Sequence, residues 1–162
     1  MKRELKKRGK LTTELVGLAG EYAVASELCR RALHAHLTLG NHKKFDILVE
    51  RGNGLYAGVE VKTKQGPMWP GVKGISPKGE IKFLVLVDLA KTELTDRPNF
   101  YVLDQNDWGT WLRQKLKGAL AKGTVTIDED NVSRWNGYDG EAIKPDEVKE
   151  FEEQWQKVTA AS

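Results

Sequence analysis

Phe45-Asp46-Ile47-Leu48-Val49-Glu50, the turn Arg51-Gly52-Asn53-Gly54, and Leu55-Tyr56-Ala57-Gly58-Val59-Glu60-Val61-Lys62 decide the fold. Two β-prone runs flank a Gly/Asn turn, which predicts an antiparallel hairpin. Side chains alternate between the faces of a strand. Phe45, Ile47 and Val49 are therefore expected on one face of the first strand, and Asp46, Leu48 and Glu50 on the other. On the return strand Ala57, Val59 and Val61 share a face, opposite Gly58, Glu60 and Lys62. One face of the hairpin packs into a core. The other can present Asp46, Glu60 and Lys62 together. Glu50 is in phase with Asp46 but further along, and reads as a salt-bridge or edge residue.

Upstream, a helix is expected from about residue 13 to 33, because Leu15, Val16, Ala19, Tyr22, Ala23, Ser26, Leu28, Cys29 and Leu33 recur at three- and four-residue steps. Cys29 reads as a small core residue. Gly17 and Gly20 weaken the helix and point to close packing against a sheet. A short strand or link is expected around Leu37–Leu39. Residues 1–12 read as a basic tail and residues 13–162 as a single domain.

Downstream, residues 63–80 hold four glycines and three prolines, and read as a long loop with little regular structure. Loops of that length are commonly functional. Ile81–Leu89 is the most apolar run and predicts a central strand. Phe100–Leu103 predicts another strand. A helix capped by Asn106 or Asp107 should run to about Leu120, with Trp108 and Trp111 in its core-facing phase. Val125–Ile127 is expected at an edge, 128–140 as loop, and a last helix from Pro145 to about Val158. The fold class that follows is α/β, a central mixed β-sheet with an antiparallel hairpin, flanked by α-helices.

Composition narrows the chemistry. No apolar run approaches the roughly 20 residues needed to cross a bilayer, and no signal-peptide pattern follows the basic start, so a cytoplasmic setting without a membrane partner is expected. One cysteine excludes an internal disulfide. Residues 1–82 carry 16 Lys and Arg against 8 Asp and Glu, whereas residues 83–162 carry 10 against 15. Such an asymmetry suggests a polyanion-binding face. His34, His36 and His42 fit no zinc spacing.

Two carboxylates on adjacent strands form a hard-oxygen site suited to Mg²⁺ or Mn²⁺. A lysine two residues after the second carboxylate points the same way and can reach a metal-bound water or a phosphate oxygen. Phosphodiester hydrolysis needs these parts. Phe45-Asp46, 13 residues, then Glu60-Val61-Lys62 resembles the PD-(D/E)XK nuclease superfamily, which includes type II restriction enzymes and archaeal Holliday-junction resolvases. Gly17-Leu18-Ala19-Gly20-Glu21 resembles the acidic helix of the resolvase-like branch. Lys82–Asp88, Pro98–Leu103 and a late Trp155 are similar to uncharacterised bacterial members. Phe45 stands where the family name has proline, and the loop 63–80 replaces a helix usual in the family.

The resemblance implies a restriction-endonuclease-like core and a Mg²⁺-dependent (or Mn²⁺-dependent) nuclease acting on DNA. It implies Glu21, Asp46 and Glu60 as metal ligands, the Val61 carbonyl as an extra ligand, and Lys62 as the group that steadies the attacking water. Lys64, Gln65, Trp69, Lys73 and Lys78 are the expected DNA contacts, Trp69 by stacking on bases and the lysines by binding phosphates. Cutting both strands would favour a homodimer. Two rival readings remain open: a nuclease-fold DNA-binding module without activity, and an interaction subunit in which Glu60 and Lys62 form an ordinary salt bridge.

Overall fold

A computed structural model describes residues 9–38, 44–90 and 93–160. In chain order these form α1 (Thr13–Arg30), β1 (His34–Leu37), β2 (Ile47–Gly52), β3 (Leu55–Lys64), β4 (Trp69–Val72), β5 (Lys82–Asp88) and β6 (Asn99–Asp104). They continue as α2 (Gln105–Lys115), α3 (Lys117–Lys122), β7 (Val125–Ile127), β8 (Ser133–Trp135), β9 (Tyr138–Asp139) and β10 (Glu141–Ile143). A 3₁₀ segment, Pro145–Phe151, and α4 (Gln156–Thr159) follow.

The main sheet has the order β1-β2-β3-β5-β6. β3 runs antiparallel to β2 and parallel to β5, and β5 pairs antiparallel with β6. The sheet is therefore mixed, with the hairpin of β2 and β3 inside it. The apolar run of β5 is central, as its composition requires, and Phe83 through Leu89 are buried.

Each face of the sheet carries a core. Val16, Val24 and Leu28 of α1 pack on Ile47, Val49, Val59, Val61 and Val85. On the other face, Leu84, Leu86 and Leu103 pack under Trp69, Trp108 and Leu112. Gly20 sets the height of α1: a Cβ there would lie 1.7 Å from the Thr63 Oγ1. The helix lies against β3 because position 20 has no side chain. α2 starts where Asp104 accepts from the Asp107 N–H and Asp107 returns the bond to the Asp104 N–H. This reciprocal cap satisfies two otherwise orphaned donors.

Four expectations need correction. Residues 63–80 are not a structureless loop: β3 extends to Lys64, and β4 pairs antiparallel with β10. Residues 128–140 contain β8 and β9, which pair with each other. The C-terminal helix is broken, since Glu153 adopts a positive φ of 56° and its N–H bonds to the Phe100 carbonyl. That stretch is used to extend the edge of β6. In α1, Cys29 is exposed, as are Leu15 and Tyr22, because the helix buries the stripe centred on Gly20. The first strand is His34–Leu37; Leu39 lies outside the described residues, as do His42 and residues 1–8 of the basic tail.

Glu27 supplies a polar lock among these layers. Its buried carboxylate accepts from the Arg97 guanidinium through two bonds of 2.9 Å and from Arg31 at 2.6 Å. Arg97 also pairs with Glu153, so α1, the approach to β6 and the C-terminal segment are joined. The hydrogen bond from Arg97 outweighs the opposing effect of burial and, with Arg31, holds the Glu27 carboxyl at about 2, below its ordinary 4.5. A depressed carboxylate stabilises the fold above its unfolded pKa and ceases to do so as pH falls through the folded value. Glu27→Gln is expected to lower the urea-unfolding free energy at pH 7 by up to about 3 kcal/mol. The deficit should shrink as pH drops below 4.5 and close near 2; a deficit unchanged between pH 7 and pH 3 contradicts this account.

Candidate functional site

The register of β2 on β3 places Ile47 opposite Val59 and Leu48 opposite Gly58. The ladder stops at the Ile47–Val59 pair, and Asp46 stands one residue before it. Asp46 stands just outside β2, and its backbone is used on both sides. Its N–H bonds to the Val59 carbonyl at 3.1 Å, and its carbonyl accepts from the Thr38 N–H at 3.0 Å. Its carboxylate then takes a place in the ladder: Oδ2 accepts from the Val61 N–H at 2.7 Å. Only 8% of the residue is exposed. A buried carboxylate fixed by a backbone donor has a defined orientation, and a short charge-assisted bond of this kind is strong. In an extended strand a residue's N–H and C=O point to the same neighbour. The Val61 carbonyl therefore faces the Asp46 side as well.

Phe45 departs from the expected alternation. Its ring lies over Gly58, where an added Cβ would approach it to 2.1 Å. The ring is thus on the Glu60 side of the sheet and not with Ile47 and Val49. It forms a buried wall beside the carboxylates. Lys44 closes that end by pairing with Glu80.

Glu60 is half-buried and Lys62 exposed. The Lys62 Nζ stands 3.8 Å from the Glu60 Oε2, a loose ion pair. The structure thus joins Asp46 to Val61, and Glu60 to Lys62, on three successive residues of β3. Glu21 is half-buried on α1, the helix seated on β3 at Gly20. Among the described residues no group of three or more His, Cys, Asp or Glu side chains is placed to hold a metal. Two carboxylates remain a suitable donor set for Mg²⁺, which keeps several waters and takes its other ligands from substrate phosphates.

The expected DNA contacts fare differently. Lys64 is not on the surface: its side chain is 3% exposed and its Nζ pairs with Asp88 at 2.6 Å. The parallel register sets Lys64 beside Asp88, and the ammonium also lies over the Trp69 ring. Trp69 is 1% exposed and donates its indole N–H to the Val87 carbonyl, so it cannot stack on a base. Gln65 spends both ends of its amide on the Leu11 backbone and anchors the chain before α1. Lys78 is exposed and paired with Glu129 at 2.7 Å. Lys73 is exposed and keeps its expected availability.

Sequence reading passed over what lies beside the carboxylates. Among the described residues, the second core draws its sheet side chains from β5 and β6 alone. The same face of β1, β2 and β3 stays open, with His34, His36 and Tyr56 exposed. The alternation of His34-Ala35-His36-Leu37 carried that signal, since Ala35 and Leu37 turn toward the α1 core. A cavity of about 570 Å³ between α2 and the 3₁₀ segment is lined by Asp107, Trp111, Lys115 and Phe151 and lies away from the hairpin carboxylates.

No protein-family model matches the chain, and no curated protein matches it. Among solved structures it is similar to a bacterial homing endonuclease, at 14% identity and a TM-score of 0.47, over 91% of this chain and 92% of the other. None of the helices among the described residues is long and apolar enough to cross a membrane.

Two stability measurements check these placements. Asp46→Ala leaves the Val61 N–H without its acceptor and should cost about 1–3 kcal/mol in urea unfolding. Asp46→Asn, which keeps an acceptor oxygen, should cost less, and equal losses count against the Asp46–Val61 bond. Lys64→Met strands Asp88 and should cost about 3–5 kcal/mol; an unaltered midpoint would return Lys64 to the surface.

Proposed function

We propose that this chain is a divalent-metal-dependent nuclease that hydrolyses phosphodiester bonds of DNA. One observation carries the reading. The Asp46 carboxylate is fixed by the Val61 N–H, and Val61 lies between Glu60 and Lys62, which form a loose ion pair on the same strand. Asp46 and Glu60 would hold Mg²⁺ or Mn²⁺, with the Val61 carbonyl turned to the same side. Such an ion supplies charge neutralisation at the phosphate and a lowered pKa for bound water.

The protein's own groups do the rest. The Asp46–Val61 bond removes rotational freedom from one carboxylate before substrate arrives, which is the purpose of a preorganised site. The Phe45 ring keeps water from one side. The Lys62 ammonium, exposed and only loosely held by Glu60, can move to a phosphate oxygen or the attacking water, where its charge stabilises the transition state. Glu21 is given no direct ligand role in this arrangement.

A second reading, a DNA-binding module that does not cut, is favoured by one fact: no third acid joins the pair among the described residues. Cleavage separates the two. The protein is incubated with supercoiled, branched and single-stranded DNA in Mg²⁺ or Mn²⁺. Cutting of at least one substrate, abolished by chelator, is expected. Lys62→Ala should retain the fold yet lose about 10²–10³ in rate, and Glu60→Gln should lose metal binding and rate together. Undiminished cutting by Lys62→Ala would detach the activity from this site. DNA binding without cleavage by wild type would establish the module reading instead.

A further inference from the structure

The open half of the sheet has a regular layout. Across β1, β2 and β3 the registers set His34, Glu50 and Tyr56 in one row, and His36, Leu48 and Gly58 in the next. Gly58 carries the Phe45 ring over it. Along β3 the next residues in this phase are Glu60 and then Lys62, flanking Val61, whose N–H holds the Asp46 carboxylate. Rows are two residues, or roughly 7 Å, apart along a strand. A strip bearing Tyr56, His34, His36 and Leu48 therefore leads along β3 toward Glu60 and Lys62.

The charge on this strip decides what it can take. A duplex is held chiefly by Lys and Arg on its phosphates. The first two rows offer no Lys or Arg and one acid, Glu50. Elsewhere in the first half of the chain several described cations are committed, Lys78 to Glu129, Arg31 to Glu27 and Lys64 to Asp88, while Lys73 is exposed. What the strip does offer is stacking surface. Tyr56 is 50% exposed, and His34 and His36 are exposed beside the half-buried Leu48. Open sheet faces with exposed aromatic rings accept splayed bases, which a paired duplex does not present.

We propose that the open face of β1, β2 and β3 is a track for an unpaired DNA strand, whose bases stack on Tyr56 and His36 while its backbone reaches Asp46, Glu60 and Lys62. This inference rests on the nuclease reading for the position of the scissile phosphate. It goes further in naming the substrate class: single strands, or duplexes with a frayed or flapped end. Continuity with the carboxylate pair gives the track its direction. Because those carboxylates repel phosphate, a divalent cation should be needed for tight binding.

The test is fluorescence anisotropy in Ca²⁺, with a short labelled single strand and a blunt duplex of the same sequence. Each lost stacking partner should weaken single-strand binding by roughly 5- to 100-fold. That loss is expected for Tyr56→Ala and His36→Ala, with Tyr56→Phe restoring most of the affinity and blunt-duplex binding little changed. Both residues are exposed, and an unaltered thermal midpoint confirms that each variant folds. Single-strand affinity unchanged in Tyr56→Ala overturns the track, as does an equal loss on both probes. Cleavage is scored separately. If wild type cuts but Tyr56→Ala binds normally, the track falls and the nuclease reading stands. If nothing is cut but Tyr56→Ala loses single strands selectively, the track stands as a binding surface and the nuclease reading falls.

Discussion

The hydrogen bond from the Val61 N–H to the Asp46 carboxylate is the constraint from which the rest of the site follows. The backbone ladder between β2 and β3 would ordinarily continue past Ile47. Here a side chain takes over the acceptor position, and the chain before Asp46 is released from strand geometry. That release lets Phe45 turn onto Gly58, against the alternation that its neighbours obey. It also lets the Asp46 carbonyl serve β1 through Thr38. One residue thus joins three strands. Burying an anion there is tolerable because a backbone dipole meets it directly; without that donor the desolvation cost would act against the fold.

The sheet is divided by what covers it. α1, seated by the close approach at Gly20, and the C-terminal Trp155 and Val158 together shield one face. On the other face, β4 and α2 shield β5 and β6, while the β1–β3 half is left to smaller and polar side chains. Segment 63–80 belongs to the covered half. Its Trp69 and the Lys64–Asp88 pair are structural. Among the described residues of the first half, ion pairs engage most Lys and Arg side chains. In the proposed reading, recognition by the open half leans on planar side chains and on a metal ion at the carboxylates.

Much of this was legible in the sequence because it is local. The alternation through residues 47–62 gave the hairpin and its buried face. The apolar run 82–88 announced a strand buried on both sides, and Trp108 and Trp111 read correctly as core. What escaped depends on distant pairing. β4 exists because residues 141–143 lie beside it, and nothing within 63–80 announces that partner. Lys64 looks like a surface cation until the parallel register brings Asp88 next to it. α1 is apolar nearly all round, so periodicity alone could not choose the stripe through Gly20 over the one through Leu15 and Tyr22. Glu27 reads as a solvated helix residue unless Arg97 is known to fold back on it.

The central claim is that Asp46 and Glu60 share one divalent ion on the open face. Anomalous diffraction from crystals grown with Mn²⁺ and a short DNA strand tests it most directly. The account predicts one strong peak within coordination distance of both carboxylates, with Lys62 directed at a phosphate oxygen or water, and loss of the peak in Glu60→Gln. A Mn²⁺-saturated crystal with DNA bound and no peak between Asp46 and Glu60 would contradict it.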